Sequence, residues 1–337
     1  MNKTVYLHPQ SKLKPFIHNH KTFEVPADVP TDAIAVIPIS NYITDKDNMI
    51  EHVQNTDGHV YVEDCVEGSS TMIRHLDQHG LLQRALNKDI SIIASGEMPE
   101  QMSAVAINYM MYMTGQVNES HRKISSGRKN KPYTFLFLNN RIRRHRTKLI
   151  QDMLNLDLLD SALWSNVCMD KTTGRLPTPT LPKEYDPQTG KDLIDWNTWA
   201  AGPVIKKQYQ HTYFSVFAES SVIHRYAFPT EKTWKPIIAG HPFMALANVR
   251  HYPYLQELGF QTFDDVIDET WSGMTLWTDA SKWLSNQAKK VCDGDLVDFQ
   301  AQCRKFTTHN KKQFWALYDN YMADTQAKIN QFFEQVE

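Results

Sequence analysis

The stretch Phe228-Pro229-Thr230-Glu231-Lys232-Thr233-Trp234-Lys235-Pro236 decides how the chain reads. Ahead of it, Tyr213, Phe214, Val216 and Phe217 form an apolar approach suited to a buried strand, followed by Glu219, Ser220 and Ser221. Behind it the helical pattern stops at Gly240, and Phe243-Met244-Ala245-Leu246-Ala247 reads as the next buried strand. Thr230 is placed to cap the helix, whose unpaired N–H groups and dipole favour an anion. Glu231 and Lys232 add an acceptor and a cation at that spot, the pairing a ribose and its pyrophosphate need. The plain alternative is two solvated first-turn charges.

Outward from this stretch, residues 213–266 read as strand, helix, strand, helix, strand. Upstream, Tyr133-Thr134-Phe135-Leu136-Phe137-Leu138 is a strand, Asn139-Asn140-Arg141 a turn, and a helix runs from about Arg143 to Leu156. The first 120 residues alternate in the same way. Ala33-Ile34-Ala35-Val36-Ile37-Pro38-Ile39, Val60-Tyr61-Val62 and Asp89-Ile90-Ser91-Ile92-Ile93-Ala94 suit buried strands, and 70–86 has helical spacing. Alternation of this kind predicts an α/β chain with mainly parallel sheets covered on both faces. The polar segment 121–131, with Gly127 and then Pro132, is the expected interdomain linker. Residues 171–195 carry four prolines and no clear period, as a surface excursion would. Beyond Ser272 the pattern is helical to the end, with Trp277, Trp283, Phe299, Phe306, Phe314, Trp315 and Tyr318 as packing anchors. The expected division is 1–131, 132–290 and a helical segment 291–337, two α/β domains facing a cleft.

The totals narrow the class. With 337 residues, 41% hydrophobic and 22% charged, the chain has room and composition for two cores. No apolar run approaches the roughly 20 residues of a membrane span, and no signal-peptide core follows Met1. Cys65, Cys168, Cys292 and Cys303 lack C-x-x-C spacing, so neither a zinc site nor a disulfide framework is indicated, and a reducing, cytoplasmic setting is expected. A net charge of −2 means that attraction to a polyanion must come from a local patch. The patch exists: 121–148 holds ten Lys/Arg and no Asp/Glu. Arg122, Lys123, Arg128, Lys129, Arg143 and Arg144 read either as a DNA-backbone footprint or as a solvated linker and helix face.

For chemistry, Arg141 at a strand end suits a bidentate grip on phosphate. Glu97 is the first choice of general base, with Asp64 and Glu63 next, because each follows a strand in the first domain, where ligands of parallel sheets sit. Each also reads as an ordinary capping or loop carboxylate. The 14 histidines are scattered, and no metal site is expected. G-x-G-x-x-G, G-x-x-x-x-G-K-[ST] and G-x-S-x-G do not occur, which argues against a Rossmann dehydrogenase, a P-loop NTPase and an α/β-hydrolase.

Phe217-Ala218-Glu219-Ser220 followed by Pro229-Thr230-Glu231-Lys232 resembles the donor-binding signature of fucosyltransferase-type enzymes of GT-B architecture. The usual form there is Phe-Glu-Asn-Ser, a spacer, then Tyr-Ile-Thr-Glu-Lys, so Ala218-Glu219 and Pro229 are departures. The stretch 135–165, with Asn-Asn-Arg-x-Arg-Arg-His-Arg and Leu-Leu-Asp-x-x-x-Trp-Ser, is similar to sugar-transferase-like proteins of large tailed phages. The resemblance implies two Rossmann-like domains and a glycosyltransferase taking a UDP- or GDP-linked sugar as co-substrate, with no cofactor. Glu231 would hold the ribose, Lys232 and Arg141 the phosphates, and Glu219 would lie near the sugar or nucleoside. A first-domain carboxylate would act as base in an inverting, metal-independent displacement. A phage origin would make the acceptor a hydroxymethylated pyrimidine in DNA, modified in the cytoplasm of an infected bacterium. An ordinary glycan or small molecule is the other acceptor, and a non-catalytic nucleic-acid-binding protein on a transferase scaffold is the other class.

Overall fold

A computed structural model describes residues 4–17, 20–23, 29–30, 33–39, 46–56, 59–64, 69–127, 130–139, 143–166, 179, 181–182, 185 and 202–336. The chain divides into two compact units, Met1–Tyr112 with Tyr318–Glu337, and Met113–Leu317.

The first unit is built on β1 (Val5–Leu7), β2 (Lys21–Thr22), β3 (Ile34–Pro38), β4 (Val60–Asp64), β5 (Ile90–Ser95) and β6 (Ala104–Ile107). They form one sheet in the order β2-β1-β3-β4-β5-β6, every pairing parallel. Every residue of β4 and β5 is buried, which is why Val60–Val62 and Ile90–Ala94 show no alternation of apolar and charged residues. Met49, Ile50 and Val53 of α1 (Lys46–Asn55) pack with Val62, Ile90, Ile92, Met72 and Leu76 in its core. The helix expected over 70–86 is two helices, α2 (Ser69–Gln78) and α3 (Leu82–Leu86). Gly80, at φ +70°, breaks it, and Leu81 N–H turns back to the carbonyl of Leu76 at 2.7 Å. The last turns of the 41-residue helix Leu296–Val336 belong to this unit, where Tyr321 stacks on Tyr112 and Phe333 meets Tyr61 edge-on.

The second unit holds β7 (Tyr133–Asn139), β8 (Leu163–Asn166), β9 (Thr212–Ala218) and β10 (Phe243–Leu246) in the order β10-β9-β7-β8, again all parallel. All seven residues of β9 are buried. The pattern expected over 213–266 does not end in a strand: the chain turns there, with Val266 and Ile267 N–H both bonded to the carbonyl of Phe263. The expected linker packs on this unit: Ser126 Oγ donates to Gly240 O at 2.8 Å, Lys311 Nζ to Ile124 O, and Lys131 Nζ to Thr212 O at 2.7 Å. The Arg122 guanidinium lies over Trp315 at 4.5 Å. The division therefore falls between Tyr112 and Met113, ahead of the segment 121–131.

Of the expected anchors in the C-terminal helices, Phe299, Phe306, Phe314 and Trp315 are buried, whereas Trp283 is 36% exposed. Trp283 lies on the outer face of the helix Trp277–Asp293, beside exposed Lys282, while Leu284 and Ala288 face inward. No helix among the described residues is long and apolar enough to cross a membrane. The excursion 171–195 lies almost wholly outside the described residues.

Candidate functional site

In the second sheet the chain leaves β7 toward β8 on one side and leaves β9 toward β10 on the other. The right-handed crossovers that such units adopt send the helix after β7, α4 (Arg144–Leu154), and the helix after β9, Glu231–Ala239, to opposite faces. Adjacent strands whose connections diverge open a crevice at their carboxyl ends, the usual ligand position in open α/β sheets. In the first sheet β1 stands between β2 and β3 in the same manner.

Glu219, the residue after β9, is the hub of the second-unit edge. Its carboxylate is buried and accepts four hydrogen bonds: from Thr230 N–H at 3.0 Å, Thr230 O–H at 2.6 Å, Thr233 O–H at 2.6 Å and Ser220 N–H at 3.1 Å. Its carbonyl oxygen accepts from His145 Nε2–H at 2.9 Å and from the Arg146 guanidinium at 3.4 Å. Burial pushes the His145 imidazole down to about 4, so the ring is neutral and its one Nε2 proton serves this bond. A single residue thus ties the first turns of both helices to the end of β9.

Thr230 is the N-cap, in extended backbone, with its Oγ accepting Lys232 N–H at 3.4 Å. Trp234, 1% exposed and packed on Phe260 and Phe314, anchors the helix, and Gly240 ends it at φ +63°. The negative charge favoured by this helix end is already supplied internally by Glu219. Lys232 Nζ lies across the helix start, 3.1 Å from Thr230 Oγ and 2.8 Å from Glu231 Oε1. Burial alone would raise the Glu231 carboxyl, but the cations of Lys232 and Lys235 outweigh it and hold the group below its ordinary value. Burial lowers the Lys235 ammonium, which Glu231 partly offsets.

Of the residues singled out in sequence, Glu219, Thr230, Glu231 and Lys232 meet at one place. Glu219 spends its carboxylate on the cap, which makes it a support for the Thr-Glu-Lys turn. Arg141, Arg128 and Lys129 lie outside the described residues. Arg143 and Arg144 are exposed at the start of α4, which has no acidic residue in its first turn. Lys123 is exposed, while Arg122 is half-buried and also faces Glu119 at 3.4 Å. Thr233, His145, Lys235, His251 and Asn248 join the group around Glu219 without having stood out among the residues of the sequence. Their one signal is position, a few residues beyond a strand end or inside the first turns of a helix.

In the first unit the three carboxylates separate by exposure. Asp64 is fully enclosed. Glu63 is 2% exposed and accepts from Ser11 O–H at 2.5 Å and Lys12 N–H at 2.8 Å, which carries the chain after β1 over the end of β4. Burial pushes its carboxyl up to about 7, against the pull of those two bonds. Glu97 follows β5 past Gly96, at φ +84°, and is half-buried. No cluster of three or more His, Cys, Asp or Glu suited to a metal ion occurs among the described residues. No protein-family model and no curated protein matches the chain.

Proposed function

We propose that the chain is a glycosyltransferase of GT-B kind, which moves a sugar from a UDP- or GDP-linked donor to a hydroxyl acceptor with inversion and without a metal. The observation that carries this reading is the β7/β9 switch point, where Glu219 holds two helix starts together beside Lys232 and the Arg143-Arg144 pair. Two all-parallel sheets fit the architecture. Lys232, with Arg141, stabilises the departing diphosphate, and Glu231 receives the ribose. Glu97 is the proposed base, because of the three first-unit carboxylates it alone reaches solvent.

The leading acceptor is a hydroxymethylated pyrimidine in phage DNA, in the cytoplasm of an infected bacterium; exposed Arg143, Arg144 and Lys123 would meet the phosphate backbone. The base would be flipped out of the stack or read in the major groove. The same exposed arginines also favour the second reading, a nucleic-acid-binding protein without catalysis.

Calorimetry with nucleoside diphosphates, followed by transfer assays on hydroxymethylcytosine DNA and unmodified DNA, tests the proposal. Binding of UDP or GDP and transfer to the modified duplex alone are expected. No binding of any nucleoside diphosphate would sink the transferase reading. Donor binding without transfer to either duplex, across several sugars, would leave a glycan or small-molecule acceptor.

A further inference from the structure

Asn248 stands two residues beyond β10, at the same sheet edge as Glu219, whose N–H bonds the Leu246 carbonyl at 2.9 Å. The two belong to one buried polar group. Asn248 O accepts from His251 N–H, His251 Nε2 lies 3.3 Å from Thr233 Oγ, and Thr233 O–H donates to Glu219. Within that group Glu219, Thr230 and Thr233 have their side-chain oxygens engaged. Asn248 is the exception. Its Nδ2 donates to the Tyr226 carbonyl at 2.6 Å, but its Oδ1 is buried and has no hydrogen-bond partner among the described residues. The amide cannot be turned round, since an oxygen at that distance from a carbonyl oxygen would meet another acceptor. The side chain is 7% exposed, and a buried acceptor without a donor is a standing cost that native structures rarely leave unanswered.

We propose that Asn248 reads the nucleoside of a nucleoside diphosphate, its Oδ1 accepting a neutral N–H or O–H from the ligand. This rests on the nucleotide reading above and assigns a part of the site that the Thr-Glu-Lys turn does not supply. Ionised phosphate oxygens have no proton to give, so the diphosphate belongs with Lys232 and the Asn248 oxygen belongs with the nucleoside. Either a base ring N–H or a ribose hydroxyl has the required chemistry. Tyr226 lies in the loop 220–229 between β9 and the Thr230 cap, so the strap from Asn248 Nδ2 to its carbonyl encloses the amide. Ligand entry exchanges this enclosure for the ligand's own donor, with movement of a loop whose Ile223 is already 74% exposed.

The test is calorimetry on the full chain with UDP, GDP and inorganic pyrophosphate, for wild type and Asn248→Leu. The variant should bind the preferred nucleoside diphosphate about tenfold more weakly or worse, the worth of one hydrogen bond to a buried group, with pyrophosphate affinity within about twofold of wild type. An unchanged nucleoside diphosphate affinity would assign the oxygen to solvent and overturn the proposal. Should the variant fail to fold by melting temperature, the ligand is altered instead. Ring-N-methylated and deoxyribose analogues offered to wild type locate the donor in the base or in the ribose, and full affinity for both overturns the assignment. Wild type that binds pyrophosphate as tightly as any nucleoside diphosphate also overturns it. Wild type that binds neither brings down the nucleotide reading itself, and Asn248 with it.

Discussion

The Glu219 carboxylate accepts both the backbone N–H and the hydroxyl of Thr230, at 3.0 and 2.6 Å. The strand end therefore supplies the counter-charge for the helix that follows it, and the Thr-Glu-Lys turn is held from below. Glu219→Ala leaves the donors of Thr230, Thr233 and Ser220 without their acceptor in a buried setting. Urea unfolding should show a loss of at least about 3 kcal/mol. Glu219→Gln keeps one acceptor oxygen and should lose less. A change below about 0.5 kcal/mol for the alanine variant would refute the hub.

Lys232 is half-buried at the helix start and pairs with Glu231 at 2.8 Å. Lys232→Ala should weaken nucleoside diphosphate binding about tenfold or more while leaving the melting temperature nearly unchanged, since partly exposed pairs contribute little stability. Retained affinity in a calorimetric titration would remove its phosphate role.

Glu63 has a folded-state carboxyl raised from 4.5 to about 7 by burial. Between those values the folded chain keeps a proton that the unfolded chain has lost, so this group's contribution to stability falls as pH rises through the window. It is flat below the window and above it. The total is on the order of 3 kcal/mol. The stability of Glu63→Gln relative to wild type should therefore rise by roughly that amount from pH 5 to pH 8. A difference independent of pH would contradict the assignment.

Glu97→Gln should lower turnover about 100-fold and leave the donor dissociation constant within about twofold, as loss of a general base does. Unchanged turnover would move the base elsewhere, with Asp64 and Glu63 the remaining first-unit candidates.

Arg143 and Arg144 are exposed, whereas Arg122 already lies over Trp315 and faces Glu119. Replacing Arg143 and Arg144 together by Ala should reduce the slope of log affinity against log salt for duplex DNA by about 2, and Arg122→Ala should change it by less than 1. Equal slopes for wild type and the double variant would exclude the arginine pair from the interface.

By itself, the sequence determined the α/β class, strands at 33–39, 60–62, 89–94, 133–138, 213–217 and 243–247 that match the observed ones to within two residues, and the capped helix at Thr230; Glu63 and Asp64, expected to follow a strand, are instead the last two residues of β4. Those features are local: apolar runs of strand length, one N-cap hydroxyl and one left-handed glycine act within a few residues of themselves. The short strands Val5–Leu7, Lys21–Thr22, Ala104–Ile107 and Leu163–Asn166 exist because a neighbouring strand offers hydrogen bonds, and nothing in their own residues declares that neighbour. Tertiary structure alone decided that β7 and β9 lie side by side, which brings His145 and Arg146 to a carbonyl more than 70 positions away. It also decided what Glu219 is for. A glutamate after a strand can face a ligand or a helix cap, and only the packing of Thr230 and Thr233 against it fills its oxygens from within.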